Sequence, residues 1–198
     1  MIKGLFNWIT PEQKFWKWFQ ENSDQFYQMS EEDKEELFDI LHVQLQKIHK
    51  ELVFEFQVEP DIDGVKELII SADGMRELIP YVLKLVNIAP KLKNWKITAF
   101  RQRMEGIEIN FNGFRISEDT VLFTYDYTAD SNFINVNLFL ENYEAEMQGT
   151  LFLLLDSCLG EFNVMTKLGY INFGDILDAE GETLLPLTQL YDLVKEIR

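Results

Sequence analysis

Leu52-Val53-Phe54-Glu55-Phe56-Gln57-Val58-Glu59-Pro60-Asp61-Ile62-Asp63-Gly64-Val65-Lys66-Glu67-Leu68-Ile69-Ile70-Ser71 is the stretch on which the fold class turns. Leu52, Phe54, Phe56 and Val58 alternate with Val53, Glu55, Gln57 and Glu59, the period of a strand with one face in a core. Pro60 to Gly64 carry turn chemistry, and Lys66 to Ser71 return as the second strand of a hairpin. Ser71-Ala72-Asp73-Gly74 then stops the strand and leads into a helix whose apolar residues run from Leu78 to Ile88, until Pro90 ends it.

On the N-terminal side the period is helical. Thr10 caps a helix with Pro11 at its first position and Gln13 completing a capping box, and Phe15, Trp16, Trp18 and Phe19 follow. Ser30 to Asp33 open a second helix, with Leu37, Ile40, Leu41, Leu45 and Ile48 at helical spacing. On the C-terminal side, strands are expected at Trp95 to Arg101 and Ile107 to Phe111. Asn112-Gly113 reads as a turn, with Phe114 to Ile116 as a strand after it. Thr120 to Tyr127 and Ile134 to Leu140 form a further hairpin. A helix from about Ala145 to Leu159, a strand around Leu168 to Phe173 and a helix from about Leu184 to Ile197 complete the chain.

This order departs from the strict strand and helix alternation of a parallel α/β sheet. It predicts an α+β fold with a mostly antiparallel sheet and helices packed on one face. Residues 52–101 and 120–173 share the order β-β-α-β, which suggests two ferredoxin-like, split β-α-β halves. A single domain over 1–198 is expected, with residues 1–50 as a helical layer and 51–198 as the sheet-containing core.

The charge excludes some partners. There are 34 Asp plus Glu against 18 Lys plus Arg, a net charge of −16, and the second half is the more acidic. Residues 101–198 hold six basic and 17 acidic side chains. Nucleic acids and anionic lipid leaflets are held mainly through Lys and Arg, so a surface of this sign repels both. A basic protein partner, or solubility alone, fits such a surface. Cys158, the only cysteine, permits no intrachain disulfide and lies in the apolar run Leu151 to Leu159, the place of a buried thiol. No apolar stretch reaches membrane-spanning length, and Met1 to Ile9 lack the apolar core and cleavage site of a signal peptide, so the expected compartment is the cytoplasm.

Phe15-Trp16-Lys17-Trp18-Phe19, Ile70-Ser71-Ala72-Asp73-Gly74, Ala89-Pro90-Lys91-Leu92-Lys93-Asn94-Trp95, Ala99-Phe100-Arg101-Gln102-Arg103 and the run from Leu155 to Phe162 together resemble a group of bacterial hypothetical proteins with no assigned activity. The resemblance spans Lys14 to Phe173. It implies one fold unit and carries no catalytic residue over.

Chemistry-bearing constellations are few. His42 and His49 stand seven apart on one helix, without the three- or four-residue spacing of helical metal ligands, so no metal site is expected. Neither a phosphate-binding Gly-x-x-x-x-Gly-Lys-Ser/Thr loop nor a dinucleotide Gly-x-Gly-x-x-Gly is present, and no cofactor is expected. Asp61 and Asp63, with Glu59, read as a solvated hairpin turn. Asp126 and Asp130, with Glu141, Glu144 and Glu146, read as a charged sheet edge or an acidic rim.

The candidate binding site is Ser71, Asp73 and Gly74 at a strand end, with Arg101 and Arg103 at the end of another, where an anion or a carboxylate would sit near a helix N-terminus. Trp8, Phe15, Trp16, Trp18 and Phe19 are too many aromatics for one helical face, so they serve as core or as a protein interface. Two functions fit. The first is a non-enzymatic acidic interaction domain, an immunity-like or regulatory partner of a basic protein. The alternative is a small-molecule-binding domain or hydrolase using the Asp73, Arg101 and Arg103 cluster, or the Asp126 and Asp130 rim.

Overall fold

The computed structural model describes residues 9–127 and 132–196. The chain divides into two compact units, Met1–Phe100 and Arg101–Arg198. Among the described residues it is α+β, with six α-helices and three sheets in which antiparallel pairing prevails.

In the first unit, α1 (Pro11–Tyr27) begins where the sequence places it: Thr10 caps the Gln13 amide, and the Gln13 side chain returns to the Thr10 amide. Its apolar stripe is core. Phe15, Trp16, Phe19 and Phe26 are buried, and the Trp16 indole donates to the Leu85 carbonyl at 2.8 Å. α2 (Lys34–Gln46) buries Leu37, Leu41 and Leu45, one per turn. Ile40, expected on the same face, is 38% exposed, because it lies one position off that stripe.

The decisive hairpin forms as β1 (Val53–Phe56) and β2 (Lys66–Ser71), antiparallel, with Phe54 opposite Ile70 and Phe56 opposite Leu68. β3 (Trp95–Ala99) pairs parallel to β2, reached through α3 (Ile79–Asn87). Phe19, Phe56 and Trp95 meet at ring-centroid distances of 5.1 and 5.3 Å around Trp95. Register then explains an odd burial. Lys66 shares the face of Leu68 and Ile70, so it is only 3% exposed, and its ammonium lies 5.3 Å from the centre of the Tyr27 ring.

In the second unit, β4 (Glu108–Phe111) and β5 (Phe114–Ser117) form a hairpin. Asn112 and Gly113 both have positive φ, 50° and 83°, the signature of a two-residue type I′ turn. β6 (Leu122–Tyr127) and β7 (Ile134–Leu140) are antiparallel neighbours. The chain continues through α4 (Gln148–Leu159) and α5 (Glu161–Lys167) to β8 (Leu168–Asp175), which pairs parallel to β7. β9 (Leu185–Pro186) and α6 (Leu190–Glu196) close the unit, and the sheet order is β8-β7-β6-β9.

Three expectations are corrected. Both units do repeat hairpin, helix and parallel strand, but the parallel strands β2 and β3, and β7 and β8, are direct neighbours. A split β-α-β unit places another strand between them, so the halves are not built that way. The last helix starts at Leu190 instead of Leu184, since Leu185 and Pro186 pair with the edge of β6, where proline's missing amide costs no ladder bond. Residues 161–167, read as a connection, form α5, because Gly160 at φ 82° ends α4 and lets a second helix restart at once.

Glu12 is a buried carboxylate at the start of α1, paired with an exposed lysine. Its Oε1 meets the Lys84 ammonium at 2.7 Å, and its Oε2 is buried without a hydrogen-bond partner. Burial pushes the Glu12 carboxyl up, but the Lys84 hydrogen bond, with help from Thr10 and its own amide, outweighs this and holds it below the usual carboxylate range. The folded value lies below the unfolded one, so the carboxylate's contribution is present above the unfolded value and is lost as pH falls through the folded one. Glu12→Gln is therefore expected to flatten the acid limb of stability against pH in urea unfolding; an unchanged limb rejects the coupling. Phe19→Ala, which empties the centre of the aromatic cluster, is expected to cost about 3–5 kcal/mol in the same assay.

Candidate functional site

Ser71, Asp73 and Gly74 lie at the end of β2, in the first unit. Ser71 is fully buried, and its hydroxyl accepts the Asp73 amide at 2.9 Å. Asp73 and Gly74 both take positive φ, 49° and 76°, so the strand is stopped by a tight turn with Asp73 at its exposed tip. The following helix starts later than the sequence suggests: a 3-10 turn at Arg76–Leu78 precedes α3.

Arg101 and Arg103 open the second unit on an extended strap that lies along the end of α4. The Arg101 guanidinium meets Asp156 at 3.1 Å, with both side chains largely buried. Its amide donates to the fully buried Glu161 carboxylate, and its carbonyl accepts the Glu161 amide, each at 3.0 Å. Arg103 donates from Nε to the Cys158 carbonyl at 3.1 Å, pairs with Glu105 at 2.5 Å and stacks 3.9 Å from the centre of the Tyr191 ring. The Glu105 hydrogen bond and charge outweigh partial burial and raise the guanidinium's already high pKa. The Met104 amide reaches the Ser157 carbonyl at 2.7 Å.

The strap thus satisfies carbonyls in the last turn of α4, where a helix has no further amides of its own and where positive charge is favoured. Gly160 is required at this corner by its φ of 82°, which L side chains rarely adopt, and the strap packs against it, so a Cβ there would touch the Arg103 nitrogen at 3.4 Å. One more carboxylate completes the clamp. Glu118 accepts the Gly106 amide at 2.7 Å through one oxygen and the Cys158 thiol at 3.4 Å through the other.

No family model, curated protein or solved structure matches this chain. Function must therefore be read from its own residues.

The remaining candidates are local. Asp61 accepts the amides of Asp63 and Val65 at 3.0 and 2.8 Å, closing the hairpin turn on itself. His42 contacts Gln46 at 2.8 Å, and His49 accepts the Glu51 amide. Among the described residues no group of three or more His, Cys, Asp or Glu is placed to hold a metal ion. No described helix is long and apolar enough to cross a membrane. Phe15, Trp16 and Phe19 are core in their unit, Trp18 is half-buried, and Trp8 lies outside the described residues, as does Asp130 of the acidic rim. Asp126, Glu141, Glu144 and Glu146 are exposed.

Exposure sharpens the charge asymmetry of the second unit. Among its described residues, twelve carboxylates are exposed, from Glu105 to Glu196, against two exposed cations, Arg115 and Lys195. Arg115 is paired with Glu108 at 2.6 Å, and Lys195 lies 4.5 Å from the Tyr191 ring centre. The surface field of this unit is therefore carried almost wholly by carboxylates.

Sequence reasoning missed Glu118, Asp156 and Glu161, the buried anions of the clamp. One signal was available: Asp156 interrupts an otherwise apolar helical run, and a buried carboxylate must find a partner. Burial first, then the Glu118 hydrogen bond and charge, push the Cys158 thiol up to about 12. Cys158 is thus expected to resist iodoacetamide in the folded protein at neutral pH. Glu118→Gln removes an anion and should lower the pH at which alkylation begins; an unmoved rate profile, measured by mass spectrometry, rejects the contact.

Proposed function

We propose that this protein is a non-enzymatic, acidic interaction module of the cytoplasm whose partner is a basic protein, of the immunity-like or regulatory kind. The observation that carries this reading is the exposed charge of the second unit: twelve carboxylates against two cations among its described residues, with one of the two already paired. Such a surface steers a cationic partner toward itself and disfavours nucleic acid and anionic lipid. The hydrolase reading has less support, because Arg101 and Arg103 are engaged with Asp156, Glu105 and the end of α4. Groups held in that way orient a backbone and are poorly placed to receive a substrate.

The test is affinity capture from the native cytoplasm with tagged protein, followed by calorimetry on the purified pair. The expected outcome is one protein of basic isoelectric point. Its affinity should fall roughly tenfold between low and moderate salt as ions screen the contact. A neutral or acidic partner, or an affinity indifferent to salt, removes the basis of the reading.

A further inference from the structure

A groove of about 540 Å³ opens in the second unit between β5, the start of β6, the end of β7 and the turns that follow β7 and β8. That volume falls within the range of roughly 300–1,000 Å³ typical of binding pockets. Its floor is apolar: Phe114, Ile116, Leu122, Leu140, Met147 and Ile176. Its exposed rim is polar, made by Arg115, Asp119, Thr120, Glu141 and Asn142.

The rim is not electrically neutral. Arg115 is paired with Glu108 at 2.6 Å, so its charge is already matched. Asp119 and Glu141 are exposed and form no ion pair among the described residues. Two uncompensated carboxylates therefore stand over an apolar floor. Such a combination suits a chain that carries a cation beside an apolar side chain, since Lys and Arg bury their methylene stems while their charged heads stay at the rim.

Both rim segments are held in place before anything binds. Ser117 accepts the Asp119 amide, and Thr120 donates to the Ser117 carbonyl at 2.8 Å, which fixes the turn that carries Asp119. On the opposite side Asp175 accepts the Tyr143 amide at 3.1 Å and the Leu177 amide at 2.9 Å, tying together the turn after β7 and the turn after β8. Asn142 takes φ 56° in the first of these, a conformation that Asn tolerates better than most residues. Met147 supplies an adaptable thioether to the floor. Little ordering cost remains for the rim when a ligand arrives.

We infer that this groove is the docking site for a short segment of the basic protein partner, an apolar residue flanked by Lys or Arg, with the cations at Asp119 and Glu141 and the apolar side chain on the Phe114 and Met147 floor. The inference rests on the proposed function above and names the place on this chain where the partner is read. Its chemistry is mixed: charge selects the rim, and apolar burial selects the floor.

The experiment is an NMR titration of the isotope-labelled full chain with three acetylated, amidated tetrapeptides: Lys-Leu-Phe-Lys, Lys-Ser-Ser-Lys and Glu-Leu-Phe-Glu. Saturable shifts confined to the amides around Asp119, Glu141, Asn142 and Met147 are expected with the first peptide. Affinity should be at least several-fold weaker with the second and absent with the third. Asp119→Asn with Glu141→Gln should weaken the first peptide about tenfold while leaving the remaining spectrum unchanged, which shows that the variant is folded.

Equal binding of the two lysine peptides, with shifts spread over many carboxylates, overturns the groove while leaving a diffuse acidic surface as the partner's contact. No response to either lysine peptide, in a protein that still binds its captured basic partner, also overturns the groove. If in addition no basic partner is captured, the functional reading fails with it. Binding of 2-phenylethylamine without the peptides would make the groove a small-molecule site and overturn the inference.

Discussion

The last turn of α4 is the constraint on which the second unit depends. Leu151, Leu154, Leu155, Cys158 and Leu159 are all buried, and Thr150, Asp156 and Ser157 are buried with them. A helix enclosed on so many sides has no water at its end to receive its final carbonyls, and each one left unpaired would cost about 1–3 kcal/mol. The strap from Arg101 to Gly106 resolves this, bringing two guanidinium groups and a backbone amide to that end. Asp156, Glu161 and Glu118 in turn hold the strap. Polar groups in such a cluster are useful only when all are satisfied, so the cluster stands or falls as one.

The same arrangement shapes the protein's outer field. Arg101 and Arg103 are turned toward the end of α4, so two of the six basic residues of the second half are half-buried and engaged there. Three carboxylates, Asp156, Glu161 and Glu118, are buried with them, and the exterior of the unit keeps twelve carboxylates against two cations among its described residues, a field of nearly one sign that favours solubility and attracts cations. Composition gives the second half an excess of 11 carboxylates, and burial leaves an excess of ten among the exposed described residues, now at nearly uniform sign.

Much of the fold was legible. The capping box at Thr10, the alternation from Leu52 to Ser71 and the Asn112-Gly113 turn are short-range signals, each set by bonds within a few residues, and each appears where the sequence places it. Other features needed long-range information. The β7 and β8 pairing joins residues more than thirty apart, as Asn137 and Asn172 do through a side-chain hydrogen bond at 2.9 Å. No periodicity reveals which strand lies beside which. The burial of Lys66 escaped for the same reason, since only the register of β2 assigns it to the core face.

By itself the sequence determined the class of the protein: helices and strands in an α+β order, a single thiol in an apolar helix, and an excess of carboxylates in the second half. Those properties are sums over residues or patterns along a few turns, so they survive any arrangement of the elements. Only the tertiary structure decided that Arg101 and Arg103 brace a helix end, that Glu118 is the partner of Cys158 and that an apolar groove lies beneath Asp119 and Glu141. These are relations between side chains tens of residues apart. Such relations exist only after the chain has closed its loops and chosen which neighbours to bring within hydrogen-bonding distance.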